Sequence, residues 1–295
     1  MIQVHVFSRT CRFKSCFPHH TKSLRHTSKA FCDLKIILGV LCVKEFFGFG
    51  GYDRPVEGYL SWQHLLFVTF LMVVMVWSAA YFARRTRKSP QKDRLRVLAW
   101  AALWADGLEI FKVVLLCFRH NDPLQWLYEL PLYMCSILLI AMPLAAFTRG
   151  RLQEAALDFT AIFGVVGAVM GTYFAGNNYG TYPVLCFDNV VSGLTHALSG
   201  FASLYILMSG MAGLKKRNVP LTFGIISGFC AAAYVVNRLV DCNYMFLMRG
   251  DDTPYDLLFW LMGESPVLYP LAVLGLFLLY IRLFYLIAGM FGKKD

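Results

Sequence analysis

Charge is scarce in this chain of 295 residues: Lys, Arg, Asp and Glu together make up 16% of it, where a soluble domain carries roughly a quarter. The shortage is uneven. The charges that exist collect at the N-terminus and in short clusters between long uncharged runs, which is the pattern of a membrane protein and not of a soluble globular domain. Glycine-rich phosphate loops and clusters with metal-ligand spacing are lacking too, so no cofactor and no metal is expected. Cys11, Cys16, His20 and His26 come nearest to a zinc site, but Cys16 and His20 stand far too close together for a zinc finger, and the tail reads as disordered. The nine cysteines form no disulfide framework. Cys135 and Cys230 fall inside apolar runs, and only Cys117, Cys186 and Cys242, at the expected outer side, leave room for a bond.

What is present is apolar: 58% of the residues are hydrophobic. In lipid every backbone donor and acceptor needs an internal partner, so long apolar runs must be helical. The sequence therefore predicts an all-α polytopic bundle with about seven transmembrane helices, over 60–83, 95–118, 127–148, 156–175, 188–213, 219–248 and 265–290. Most reach the ~20 residues needed to cross the hydrocarbon core. The patch from Leu257 to Met262 is too short and belongs at the interface. Residues 1–54 form a basic extension, disordered or interfacial, ahead of a transmembrane domain over 55–292. Within it, residues 32–49 carry Asp33, Lys35, Lys44 and Glu45 and make a poor span.

The formal net charge of +10 resembles a nucleic-acid signal, but the basic residues sit beside apolar segments, where they set topology and meet anionic lipid. Membrane lipids are the expected partners and nucleic acid is not. Arg84 to Arg96, Arg149 with Arg151, Lys215 to Arg217, and Lys293 with Lys294 occupy alternate loops. These regions, the C-terminus among them, are expected in the cytoplasm of a multi-pass cell-membrane protein. The nine Lys and Arg of residues 1–54 then fall outside. Either residues 32–49 cross as well, giving eight spans, or the tail is an appended segment; seven spans are adopted. Nothing in the sequence speaks to the oligomeric state.

Ionisable groups inside spans are costly and ask for a reason. The second span holds Asp106, Glu109 and Lys112 on one helical stripe, where Glu109 and Lys112 can pair. The sixth holds Asn237, Arg238, Asp241, Asn243 and Tyr244, with Arg238 and Asp241 also spaced to pair. Such groups serve as interhelical glue or line a water-filled cavity.

Cys135 and His196 stand out for another reason. Cys135 lies eight residues from Leu127, and His196 eight from Asp188. At 1.5 Å per residue both sit roughly 12 Å below the outer ends of the third and fifth spans, which run in the same direction. An imidazole level with a thiol can take its proton, and the thiolate can attack an acyl carbonyl. Pro131 and Pro143 flank the cysteine, and Gly193 and Gly200 thin the fifth helix. The opposing reading is a small apolar filler and a histidine bonded to a neighbouring hydroxyl or carboxylate.

LPLYMC in the third span, SGLTHALSG two helices later, NRLVDCNYMFL followed by LLFWLMGESPVLYP, and an opening LSWQHLLF with Ser61 and His64 together resemble the YwaF-like integral membrane family of bacteria, over about residues 55–290. That family is similar to a eukaryotic transmembrane lipid acyltransferase with a cysteine nucleophile and a histidine. The resemblance implies those roles for Cys135 and His196. Bacterial members often read LPLHLC, where this chain has Tyr133, which keeps a hydrogen bond but is no base at neutral pH.

Three functions follow. The first is a membrane enzyme moving or hydrolysing a lipid acyl group, with Asn243, Tyr244, Asn237, Tyr133 and His64 as candidate substrate-binding residues. The second is a carrier or channel for a small solute or ion, lined by Asp106, Glu109 and Asp241, although no inverted repeat is visible. The third is a non-catalytic scaffold.

Overall fold

Long apolar stretches become helices here wherever no glycine, proline or strained turn interrupts them. The computed structural model describes residues 43–291 except 53 and 252. The motif Cys11, Cys16, His20 and His26, most of the basic tail including Asp33 and Lys35, and Lys293 and Lys294 lie outside the described residues. Seven principal helices are α1 (Trp62–Thr86), α2 (Gln91–His120), α3 (Leu138–Phe147), α4 (Gly150–Tyr173), α5 (Phe187–Ser209), α6 (Val219–Val240) and α7 (Leu268–Phe291). No strand occurs among the described residues. The fold is an all-α membrane bundle, and five helices, α1, α4, α5, α6 and α7, are long and apolar enough to cross a bilayer. Helix α2 has the length, at 30 residues, but carries Asp106, Glu109 and Lys112.

The third expected span, 127–148, is not one helix. A short 3-10 turn at Gln125–Tyr128 is followed by irregular chain, and regular helix begins only at Leu138. Pro131 lies in that irregular stretch and cannot donate a helical hydrogen bond. The sixth span ends at Val240 instead of continuing to 248. Asp241 caps it in the left-handed region, and Met245, Phe246 and Asp251 also have positive φ. For side chains of this size that backbone is strained. The apolar patch expected at the interface is a short helix, Tyr255–Leu261.

Helices α4 and α5 form the centre. Of the apolar window of α4, 72% is buried inside the protein, against 22% for α7, so α7 presents most of its surface to lipid. Close approach comes from small residues. A Cβ on Gly164 would stand 2.5 Å from the Ser199 carbonyl oxygen of α5, and one on Gly200 would meet Met75 and, at 2.7 Å, Ala168. The Ser203 hydroxyl donates to the Ala161 carbonyl at 2.7 Å across the same interface. Helix α5 also packs on α1 and α2, and α3 on α4.

The basic loops gather at one end of the bundle. Arg94 donates to the Ser209 carbonyl at 2.9 Å, capping α5, and Arg217 pairs with Glu154 at 2.8 Å. Buried Asp158 accepts from the Leu214 amide, the Asn218 amide group and the Tyr285 hydroxyl at 3.1, 2.9 and 2.8 Å, joining α4, α6 and α7. At the opposite end Arg119 makes two bonds to Asp188, at 2.7 and 3.0 Å, and Tyr52 donates to the same carboxylate at 2.6 Å. Burial and that carboxylate push the Tyr52 hydroxyl well above its ordinary range, so it stays a donor. Asp188 sits in the first turn of α5, where a negative charge is favoured. The part of the N-terminal extension that is described thus folds back over the ends of α2 and α5, with Phe46 and Phe47 against Phe187.

Candidate functional site

Two irregular segments, 129–137 and 241–254, meet at the end opposite the basic loops. Tyr244 ties them together: its hydroxyl donates to the Leu127 carbonyl at 2.8 Å and accepts from the Leu130 amide at 3.2 Å. The Tyr133 ring lies edge-on to Tyr244 at 5.0 Å. Non-helical backbone inside a membrane domain survives only where protein or a water-filled cavity satisfies it. Here Asn237 does so, donating to the Tyr244 carbonyl at 3.0 Å and accepting its amide at 2.7 Å. Asn243 likewise donates to the Arg249 carbonyl and the Asp251 carboxylate at 2.8 Å each, and accepts the Met248 amide at 2.9 Å. The amides of both asparagines are engaged within the protein.

Cys135 lies in the turn that leads into α3. Its thiol lies beside the His196 imidazole of α5: the two side chains stand against Gly167 and Gly171, one turn apart on the same face of α4, and they interact electrostatically. The His196 Nδ1 lies 2.7 Å from the Ser192 carbonyl oxygen. A carbonyl only accepts, so Nδ1 carries a proton and Nε2 is left as the acceptor in the neutral ring. Both residues are partly exposed. The Cys135, Ser136, Tyr133 and Met134 backbone amides make no hydrogen bond to another described residue.

The glycine that admits the imidazole is on α4, not α5. Gly193 faces Leu71 and Phe67 of α1, and Gly200 faces Met75 and Ala168. Against His196 stands Gly171, where a Cβ would overlap the ring at Cδ2 and Nε2. Gly167, one turn earlier, stands beside Cys135 with room for a methyl, 3.7 Å from the cysteine Cβ. The signal was present in the sequence as Gly164, Gly167 and Gly171, an i, i+3, i+7 stripe on one helical face.

The expected Glu109–Lys112 pair forms, at 2.6 Å, and Lys112 also reaches Glu129 at 3.3 Å, a partner missed in the sequence. Glu109 lies within electrostatic range of His196. One oxygen of Asp106 is buried without a hydrogen-bond partner among the described residues. The expected Arg238–Asp241 pair does not form: both are exposed and within 4 Å of no opposite charge among the described residues, because the left-handed cap at Asp241 takes its carboxylate off the helical stripe.

His64 is fully buried on α1. Its Nε2–H donates to the Thr172 carbonyl at 3.1 Å, its Nδ1 accepts the Leu60 amide at 3.2 Å, and the Tyr179 ring lies tilted against it, centroids 3.9 Å apart. Ser61, three residues before it, caps α1 by accepting the His64 amide at 3.3 Å. Among the described residues, Cys117, Cys135, Cys186 and Cys230 form no disulfide. Cys186 is buried, which pushes its thiol up and leaves it a poor nucleophile. No group of His, Cys, Asp and Glu among the described residues has the geometry to hold a metal.

Fold and site together define a polytopic helical membrane protein with a thiol and an imidazole side by side within the bundle. The model of the TMEM164 family matches residues 59–287, and the chain belongs to that family. No curated protein and no solved structure matches it.

Proposed function

We propose that this protein moves or hydrolyses a fatty acyl group of a membrane lipid through a thioester on Cys135, with His196 as the base. The observation that carries the reading is the placement of the thiol and the imidazole side by side along the Gly167–Gly171 face of α4, with the His196 tautomer set by Ser192. In the first step Nε2 takes the thiol proton, sulfur bonds to the acyl carbon, and the ester C–O bond breaks. The proton passes from the imidazolium to the departing lipid alkoxide. In the second step Nε2 takes a proton from the accepting hydroxyl or water, its oxygen bonds to the acyl carbon, and the C–S bond breaks, the departing thiolate taking the proton back from the imidazolium. The resemblance to YwaF-like proteins and their acyltransferase relative supports the same assignment. Tyr133, partly exposed beside the irregular segments, is the substrate-facing side chain of the candidates, while Asn243 and Tyr244 are buried and hold those segments in place. The basic loops and the C-terminus face the cytoplasm of a cell membrane, by the distribution of Lys and Arg.

The test is labelling of the full chain in membranes with an acyl probe, alongside lipid profiling, for Cys135→Ala and His196→Ala. Loss of label in both is expected. Unchanged label and lipid profile in both variants would sink the proposal. The unpartnered Asp106 oxygen favours a second reading, a solute or ion path; uptake into proteoliposomes that depends on Asp106 and not on Cys135 would select it.

A further inference from the structure

Helix α4 ends at Tyr173, so the carbonyls of its last turn have no intrahelical donor. The Thr172 carbonyl is one of them: the Ala175 amide of the following turn reaches it at 3.5 Å, and the shorter bond comes from another helix, His64 of α1, at 3.1 Å. Thr172 follows directly on Gly171, the residue whose bare backbone lies against the Nε2 edge of His196. A small movement of this turn changes how the imidazole meets the Cys135 thiol.

His64 is built to hold that turn still. It has no exposed surface. Its two nitrogens are both used, one by Thr172 and one by the Leu60 amide, which fixes the neutral tautomer protonated at Nε2. Tyr179, beyond the end of α4, packs against the ring and closes it in. A histidine so enclosed is placed to transmit position, with no path to a substrate.

We infer that His64 is a positioning residue: by capping the last turn of α4 at Thr172, it keeps Gly171 seated against His196 and so keeps the imidazole aligned on Cys135. The inference rests on the proposed role of the Cys135–His196 pair. The titratable groups that face His196 are Cys135, from the segment before α3, and Glu109 of α2, the latter paired with Lys112.

Two amide substitutions separate the functions of the two ring nitrogens. The Gln amide nitrogen stands near where Nε2 was, so His64→Gln keeps the donor to Thr172. The Asn side chain is shorter and its oxygen stands near Nδ1, so His64→Asn keeps the acceptor for Leu60 and loses the bond to Thr172. The readout is the rate of Cys135 alkylation by iodoacetamide against pH, for the full chain in lipid nanodiscs, followed at the Cys135 peptide by mass spectrometry. Thermal unfolding of each variant runs in parallel.

His64→Gln should keep the wild-type profile. His64→Asn should lose at least about tenfold in rate at neutral pH and move its profile toward that of an ordinary thiol, even where its melting temperature matches that of His64→Gln. Equal profiles for the Asn variant and the wild type overturn the inference. So does equal loss in both variants, which would mean that His64 itself titrates in the reaction or serves stability alone. His196→Ala, run alongside, distinguishes the two levels. If it shifts the profile and His64→Asn does not, the positioning role alone fails. If it leaves the profile unchanged, the Cys135–His196 reading fails and takes the positioning role with it.

Discussion

Substitution of Gly171 by alanine tests the site at its tightest contact. The added methyl would overlap Cδ2 and Nε2 of the His196 ring. To regain an ordinary carbon contact of ~3.5 Å, the ring must retreat by roughly 1.5 Å. It has somewhere to go, since His196 is partly exposed, but the retreat moves Nε2 away from the Cys135 thiol. A misplacement of about 1 Å costs on the order of 100-fold in rate, and loss of a general base costs about 100- to 10,000-fold. Acyl-probe labelling of Gly171→Ala should therefore fall by about two orders of magnitude. Stability should change much less. The crowding costs about 1–3 kcal/mol, offset by ~0.5–1 kcal/mol from replacing glycine within a helix. Gly167→Ala is the control, because its methyl would meet Leu138 at 3.5 Å and Cys135 at 3.7 Å, both ordinary contacts. That variant should label like the wild type. Labelling of Gly171→Ala within twofold of the wild type, with comparable thermal stability, would refute the assignment of His196 as the base.

Gly164→Ala should destabilise the bundle by about 1–3 kcal/mol, since its methyl would press on the Ser199 backbone oxygen, which cannot turn aside; an unchanged denaturation midpoint in detergent would contradict the close α4–α5 packing. Asp158→Ala leaves the Leu214 amide, the Asn218 amide and the Tyr285 hydroxyl without their acceptor, and should cost about 1–3 kcal/mol per stranded buried group, read as a lower melting temperature. Asp188→Asn weakens the paired bonds from Arg119, whose side chain is only 10% exposed. It should lower the melting temperature while acyl labelling per folded molecule stays at the wild-type level, and a loss of labelling without a loss of stability would place this cluster in the reaction.

The sequence by itself was enough for the class of fold. Charge-free runs of about 20 residues allow only helices in lipid, and the boundaries of α1, α4, α5 and α7 lie within a few residues of those expected, apart from the earlier start of α4 and the earlier end of α5. Periodicity also foretold the Glu109–Lys112 pair, since residues three apart on a helix are neighbours whatever else surrounds them. Cys135 and His196 were singled out by counting residues along two parallel helices, but the chain from Glu129 to Ile137 is not helical, so the count did not measure the depth of Cys135, and their proximity rests on the packing of both against α4.

What tertiary structure decided was everything that depends on broken backbone and on facing surfaces. Pro131 marked a break, but not that the whole chain from Glu129 to Ile137 leaves the helix, because the segment is as apolar as its neighbours and its tie to the distant Tyr244, through Leu127 and Leu130, exists only in the assembled bundle. The same holds beyond Val240, where a left-handed cap separates Asp241 from Arg238. The choice of Gly171, and not Gly193 or Gly200, as the glycine that admits His196 depends on the rotation of α4 about its axis. A sequence shows which residues are small; only the assembled bundle shows what each small residue faces.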